Sequence, residues 1–156
     1  MVWPPDSPWS PWWRTNKNVA RGICRLAKIS SKDLVYDLGC GDGELITIAS
    51  KEFGARCVGI EIDYLRFLAS KIRIKINKVS KKVLLKRKNF HKENISRASV
   101  VVVYLVPRVL RLLEKKFLKE LKPGTKIVSF HYKMELPLLK QDRRNKLYLY
   151  RIPKTV

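Results

Sequence analysis

Short apolar strands alternating with amphipathic helices predict an α/β chain, folded as one domain around a doubly wound, mostly parallel sheet. Three observations carry that expectation. The apolar run Leu34–Leu38 leads into Gly39-Cys40-Gly41-Asp42-Gly43 and then into a helical pattern. A second run, Cys57–Ile62, contains the acid Glu61 near its end. A third, Val100 to Val106, has the length of a buried strand. The 156 residues suffice for one core and are too few for two.

The elements follow in order. Met1 to Pro11 hold four prolines and two tryptophans, and Trp12 and Trp13 follow at once. Proline fixes φ and removes donors, so residues 1–15 are expected to form an extended arm lying over the domain of residues 16–156. A helix is expected from Asn16 to Lys28, with Val19, Ile23 and Leu26 at helical spacing and Thr15 or Asn16 as its cap. Leu34–Leu38 is the first strand, and the helix after the glycine loop runs to Phe53. Cys57–Ile62 is the second strand. The segment Tyr64–Lys78 is read as a helix, although Lys71–Ile76 alternates like a strand. It must cross back to the sheet, and Leu65, Leu68, Ile72 and Ile76 make one apolar stripe. Val83–Lys88 and Ser99–Leu105 are strands, and Arg108–Leu121 is a helix stopped by Lys122-Pro123-Gly124. Lys126–Phe130 and Leu147–Arg151 complete the strands read from the pattern.

Composition narrows the function. No apolar run approaches the ~20 residues that span a bilayer, and no basic-then-apolar leader opens the chain, so a cytoplasmic location is expected. Cys24, Cys40 and Cys57 show no C-x-x-C spacing, so neither a zinc site nor a disulfide framework is indicated. Thirty-four Lys and Arg against thirteen Asp and Glu give a net charge of +21. Tyr64 to Lys92 holds eleven cations and no acid. Such a field concentrates polyanions, so nucleic acid, ribosomes and acidic membrane surfaces are candidate partners.

Strands followed by helices place ligands beyond the strands' carboxyl ends, where the glycine loop sits. Asp37 stands two residues ahead of Gly39, and the spacing is G-x-G-x-G, unlike the G-x-G-x-x-G of dinucleotide folds. The pattern resembles the first motif of class I, seven-strand, Rossmann-like methyltransferases dependent on S-adenosylmethionine. That resemblance implies that Asp37 and the loop of Gly39, Cys40, Gly41 and Gly43 hold the methionine end of the cofactor. Glu61 lies 22 residues after Gly39, near the spacing at which an acid reaches a ribose. Asp63 is the rival for that role and the candidate cap of the next helix. After the third strand the class places an acid beside the adenine amine. Here Asn89 and Phe90 stand there, an amide able to donate and accept and a ring able to stack.

The fourth strand ends Val103-Tyr104-Leu105-Val106-Pro107, where such enzymes position their acceptor. There is no Asp-Pro-Pro-Tyr or Asn-Pro-Pro-Phe run and no cysteine in this loop, against the common amino-methylating and carbon-methylating nucleic-acid enzymes but not against methylation of a ribose or ring nitrogen. Together with Pro11-Trp12-Trp13-Arg14-Thr15 and Leu118–Ser129, these segments resemble small protein-lysine methyltransferases, the archaeal broad-specificity and mitochondrial translocase or ATP synthase types. The resemblance covers the chain from about Pro11 onward. It departs where the family shows Pro-aromatic-Val-Pro-Thr. It implies a lysine acceptor near Tyr104, in a channel walled by Trp12, Trp13, Thr15 and Pro107. His131, after the fifth strand, is a further candidate contact. Two alternatives stay open: an RNA methyltransferase, and a basic nucleic-acid-binding module on an inactive methyltransferase fold.

Overall fold

The computed structural model describes residues 15–154. The arm with Trp12 and Trp13 lies outside the described residues, except Thr15, which is half-buried. The elements are α1 (Lys17–Leu26), β1 (Leu34–Leu38), α2 (Glu44–Phe53), β2 (Arg56–Ile60), α3 (Tyr64–Ile76), β3 (Val83–Lys86), β4 (Val100–Val103), α4 (Pro107–Glu120), β5 (Lys126–Phe130), β6 (Leu138–Asp142) and β7 (Leu147–Arg151). A single 3₁₀ turn, Phe90–Lys92, joins β3 to β4.

The seven strands form one sheet in the order β3-β2-β1-β4-β5-β7-β6. The first five run parallel, and β7 pairs antiparallel with both β5 and β6. The chain steps outward from β1 to β3, then returns to lay β4 on the other side of β1. That reversal opens a crevice at the carboxyl ends of β1 and β4. One core layer packs under α1, α2 and α3 and includes Ile23, Val35, Ile46 and Val102. The other packs under α4 and includes Leu38, Ile60, Val101, Leu113 and Phe117.

Capping sets the helix starts. The Asn16 side chain accepts from the Val19 amide, so Asn16 caps α1. Asp63 accepts from the Arg66 amide and caps α3. This assigns the two acids after β2 to separate tasks and leaves Glu61 facing the loop.

Two findings go beyond the pattern reading. The strand β6 carries Leu138, Leu139 and Lys140 exposed, with an irregular register between Leu138 and Lys140. An edge strand takes its order from hydrogen bonds to its neighbour, so no alternation of burial advertises it. The stripe Leu65, Leu68, Ile72, Ile76 also turns away from the sheet. Ser70 and Ile74 face inward, while Leu65 is 71% exposed and Ile76 72%. An apolar helical stripe ordinarily marks the buried face, and here the buried face is the smaller one.

Gly59, in β2, packs directly under side chains of α2 and β3. A Cβ there would lie 2.7 Å from Ile46 Cδ1 and 2.9 Å from Leu85 Cδ2. Gly59→Val is therefore expected to cost about 1–3 kcal/mol of stability through overpacking. Calorimetry checks this as a fall in Tm of roughly 3–10 °C; an unchanged Tm would show that the layers can part.

Candidate functional site

The glycine loop lies across the end of β2. The Gly39 and Cys40 amides both donate to the Ile60 carbonyl, at 2.8 and 2.9 Å. Gly39, Gly41 and Gly43 all have positive φ, which folds the loop back over the strand ends. At Gly43 the need for glycine is double. Its φ is +81°, and a Cβ would sit 2.9 Å from Ser70 Oγ and 3.3 Å from Ser70 Cα.

The inner face of α3 is the loop's buttress. Ser70 Oγ donates to the Gly41 carbonyl at 2.6 Å. Arg73 donates to the Asp42 carbonyl at 2.9 Å, to the Asp42 carboxylate at 3.1 Å and to Glu44 at 2.7 Å. Sequence reasoning missed this clamp because Arg73 stands in a run of cations that reads as a solvated face. The available signal was the i, i+3 spacing of Ser70 and Arg73, which puts both on one side of the helix.

Glu61 meets the loop from the end of β2. It is 5% exposed. One carboxylate oxygen accepts from the Gly41 amide at 2.9 Å and the other from the Asp63 amide at 3.0 Å. Burial raises its pKa, and these two amides oppose the rise. Asp37 is more perturbed. Burial, then the charges of Glu61 and Asp42, push its carboxyl up to about 8. No hydrogen bond to that carboxylate occurs among the described residues, and no cation offsets its charge there. A buried carboxylate without a compensating cation is costly to ionise, which is the physical cause of the raised pKa.

Cys40 is buried in the loop, its Sγ 3.9 Å from Ser70 Oγ. Burial and the neighbouring Asp37 and Glu61 raise its pKa far above the usual thiol range. A thiol kept protonated in this way packs and does not attack. Among the described residues no cluster of His, Cys, Asp and Glu is arranged to hold a metal ion.

Beyond β3, the side-chain oxygen Oδ1 of Asn89 accepts from the His91 amide at 2.9 Å and caps the 3₁₀ turn. Among the described residues its NH₂ makes no hydrogen bond. Phe90 is buried in the core layer under α4. Lys86 and Lys88 both reach Glu93, at 2.7 and 2.8 Å, and fasten this segment to the strand it leaves.

Leu38 pairs with Val103 across β1 and β4, so Tyr104 leaves the sheet beside the glycine loop. Its ring packs on Phe130 with centroids 4.3 Å apart and stands 6.4 Å from His131. His131 in turn meets Tyr132 edge-on at 4.5 Å. Burial, and then Tyr132, raise the Tyr104 pKa, so its hydroxyl stays neutral at physiological pH. His131 has φ +74°, and its amide donates to the Lys146 carbonyl at 2.7 Å. The structure thus brings Tyr104 and His131 into one aromatic set. Pro107 is exposed at the first turn of α4.

Residues 37–139 match the model of the ANTKMT methyltransferase domain family. A protein-lysine N-methyltransferase from Saccharolobus islandicus is 38% identical over 135 residues, covering 86% of this chain and 82% of that protein. A lysine N-methyltransferase from Xenopus laevis, named for an ATP synthase component, is 29% identical over 103 residues, 66% of this chain and 45% of that protein. The crystal structure of an RNA methyltransferase from Salinibacter ruber in complex with S-adenosyl-L-homocysteine is similar, with a TM-score of 0.86 and 31% identity. That match covers 92% of this chain and 96% of the other.

Proposed function

The chain belongs to the ANTKMT methyltransferase family, and on that premise we propose that it is a protein-lysine N-methyltransferase using S-adenosylmethionine. The observation that carries the acceptor class is the 38% identity to a protein-lysine N-methyltransferase over most of both chains. The crevice fits the cofactor. Its buried carboxylate Asp37, which has no hydrogen-bond or ion-pair partner among the described residues, and the second acid, Glu61, suit a guest that carries cationic charge and ribose hydroxyls. Asp37 and the loop Gly39, Cys40, Gly41 and Gly43 take the methionine end, and Glu61 takes the ribose. The Asn89 NH₂ serves the adenine, and Phe90, a core ring, supports that wall. When bound, S-adenosylmethionine supplies an electrophilic methyl group for in-line displacement.

The chain's own contribution is position and dryness. An acceptor lysine must arrive neutral, and burial against a cationic surface lowers its pKa. Tyr104 orients the amine with a neutral hydroxyl. Thr15 and Pro107 are proposed to contact the acceptor with His131 beside them, and the same role is proposed for Trp12 and Trp13, which lie outside the described residues. The +21 charge selects acidic substrates, or substrates held on polyanions. The three buried free thiols suit a reducing, cytoplasmic setting. Among the described residues no helix is long and apolar enough to cross a membrane.

One observation favours a second reading, RNA methylation: the similar Salinibacter protein is described as an RNA methyltransferase. Tritiated cofactor in host lysate, with and without RNase, separates the two. Label is expected in protein after RNase, released as methyl-lysine on acid hydrolysis. Tyr104→Ala is expected to lower turnover at least about tenfold with cofactor affinity unchanged, as for a residue that orients the acceptor. Label found in RNA alone would replace the lysine reading with the second one.

A further inference from the structure

The two faces of α3 have separate tasks. Ser70 and Arg73 grip the glycine loop, while Leu65, Ile72 and Ile76 stand 71%, 59% and 72% exposed on the opposite side, with Leu68 half-buried between them. Aliphatic side chains this exposed on consecutive turns of a helix form a ridge, and the sheet cannot cover it. Lys71 and Lys75 border the ridge one turn apart, and Lys78, Lys81 and Lys82 continue the charge beyond the helix, all exposed. No acidic residue interrupts the chain from Tyr64 to Lys92.

We propose that this face of α3 seats the protein on an anionic lipid bilayer. The occupant follows from charge and shape together. A lysine-bordered apolar face is what lies flat in a membrane interface, with the ridge below the headgroups and the ammonium groups among them. Anionic headgroups attract the bordering lysines, and the attraction falls off within a Debye length. A ridge without a groove needs no shaped partner, and lipid closes around it. RNA would answer the lysines and leave four aliphatic side chains in water. A second copy would set this basic surface against itself on a chain of charge +21.

Co-sedimentation with vesicles tests the assignment, using pure phosphatidylcholine and phosphatidylcholine with about 30% phosphatidylserine at about 0.15 M salt. The wild type is expected to bind the anionic vesicles and not the neutral ones. The triple variant Leu65→Ser, Ile72→Ser, Ile76→Ser is expected to bind at least about tenfold more weakly, with cofactor affinity unchanged because the inward face is intact. Lys71→Gln with Lys75→Gln is expected to weaken binding as well, and the binding that remains is expected to respond less to salt. Vesicle binding by the triple variant equal to wild type would reduce the effect to charge alone and overturn the proposal. So would indifference of the wild type to anionic vesicles, including the case where the same triple variant instead loses a cross-linked acidic protein.

Discussion

Glu61→Ala is expected to weaken S-adenosylmethionine binding about a hundredfold or more, the loss that accompanies two charge-assisted hydrogen bonds of roughly 1.5–3 kcal/mol each. Two effects add. The carboxylate proposed for the ribose disappears, and the Gly41 and Asp63 amides that it accepts from lose their acceptor. The second effect reaches the rest of the site, because the Gly41 amide belongs to the loop proposed to carry the methionine end. Glu61→Gln is expected to fall between the two proteins. Its single carbonyl oxygen can serve one of the two amides, while its NH₂ opposes the other. Isothermal titration calorimetry reads all three. An alanine variant that binds within about threefold of wild type would remove Glu61 from the site.

The parts of this molecule that could be read in the sequence are those whose residue types have few other uses. Three glycines at alternate positions after a strand imply a loop of positive φ, and Gly39, Gly41 and Gly43 form one. An acid at the end of β2 beside that loop implies a carboxylate facing it, and Glu61 bonds to it. What was illegible has a different physics. Strand β6 has an exposed, irregular pattern because its order comes from β7 and not from burial. Seven strands followed from the family resemblance, while the hydropathy pattern yielded six. The stripe on α3 was legible as a stripe but not in its direction, since periodicity fixes which residues share a face and not which face meets the sheet. Arg73 disappeared among its neighbours for the same reason: only the fold tells a cation that clamps a loop from one that faces water.

Asp37 is expected to give this protein a pH dependence of unusual sign and large size. In an unfolded chain its carboxyl ionises near about 3.9. In the folded one burial, then Glu61 and Asp42, raise it to about 8. Between those values the folded chain holds a proton that the unfolded chain has released. Asp37's contribution to the stability of the cofactor-free protein is therefore complete below about pH 4 and is lost as pH rises through 8. A cationic guest reverses the preference, since it is held by the ionised form. With a pKa of about 8, roughly 1% of the carboxyl is ionised at pH 6 and half at pH 8. Affinity for S-adenosylmethionine is accordingly expected to rise about 50-fold over that interval, and the cofactor-induced gain in Tm to grow with it. Glu61, also raised by burial, acts in the same direction. Asp37→Asn is expected to bind more weakly at pH 8 and to flatten most of the dependence, because an amide carries neither the charge nor the proton. Calorimetry at pH 6, 7 and 8 on both proteins decides the matter. A wild-type affinity that stays level across the three would mean that Asp37 is already ionised at pH 6, and would remove it as the source of the dependence.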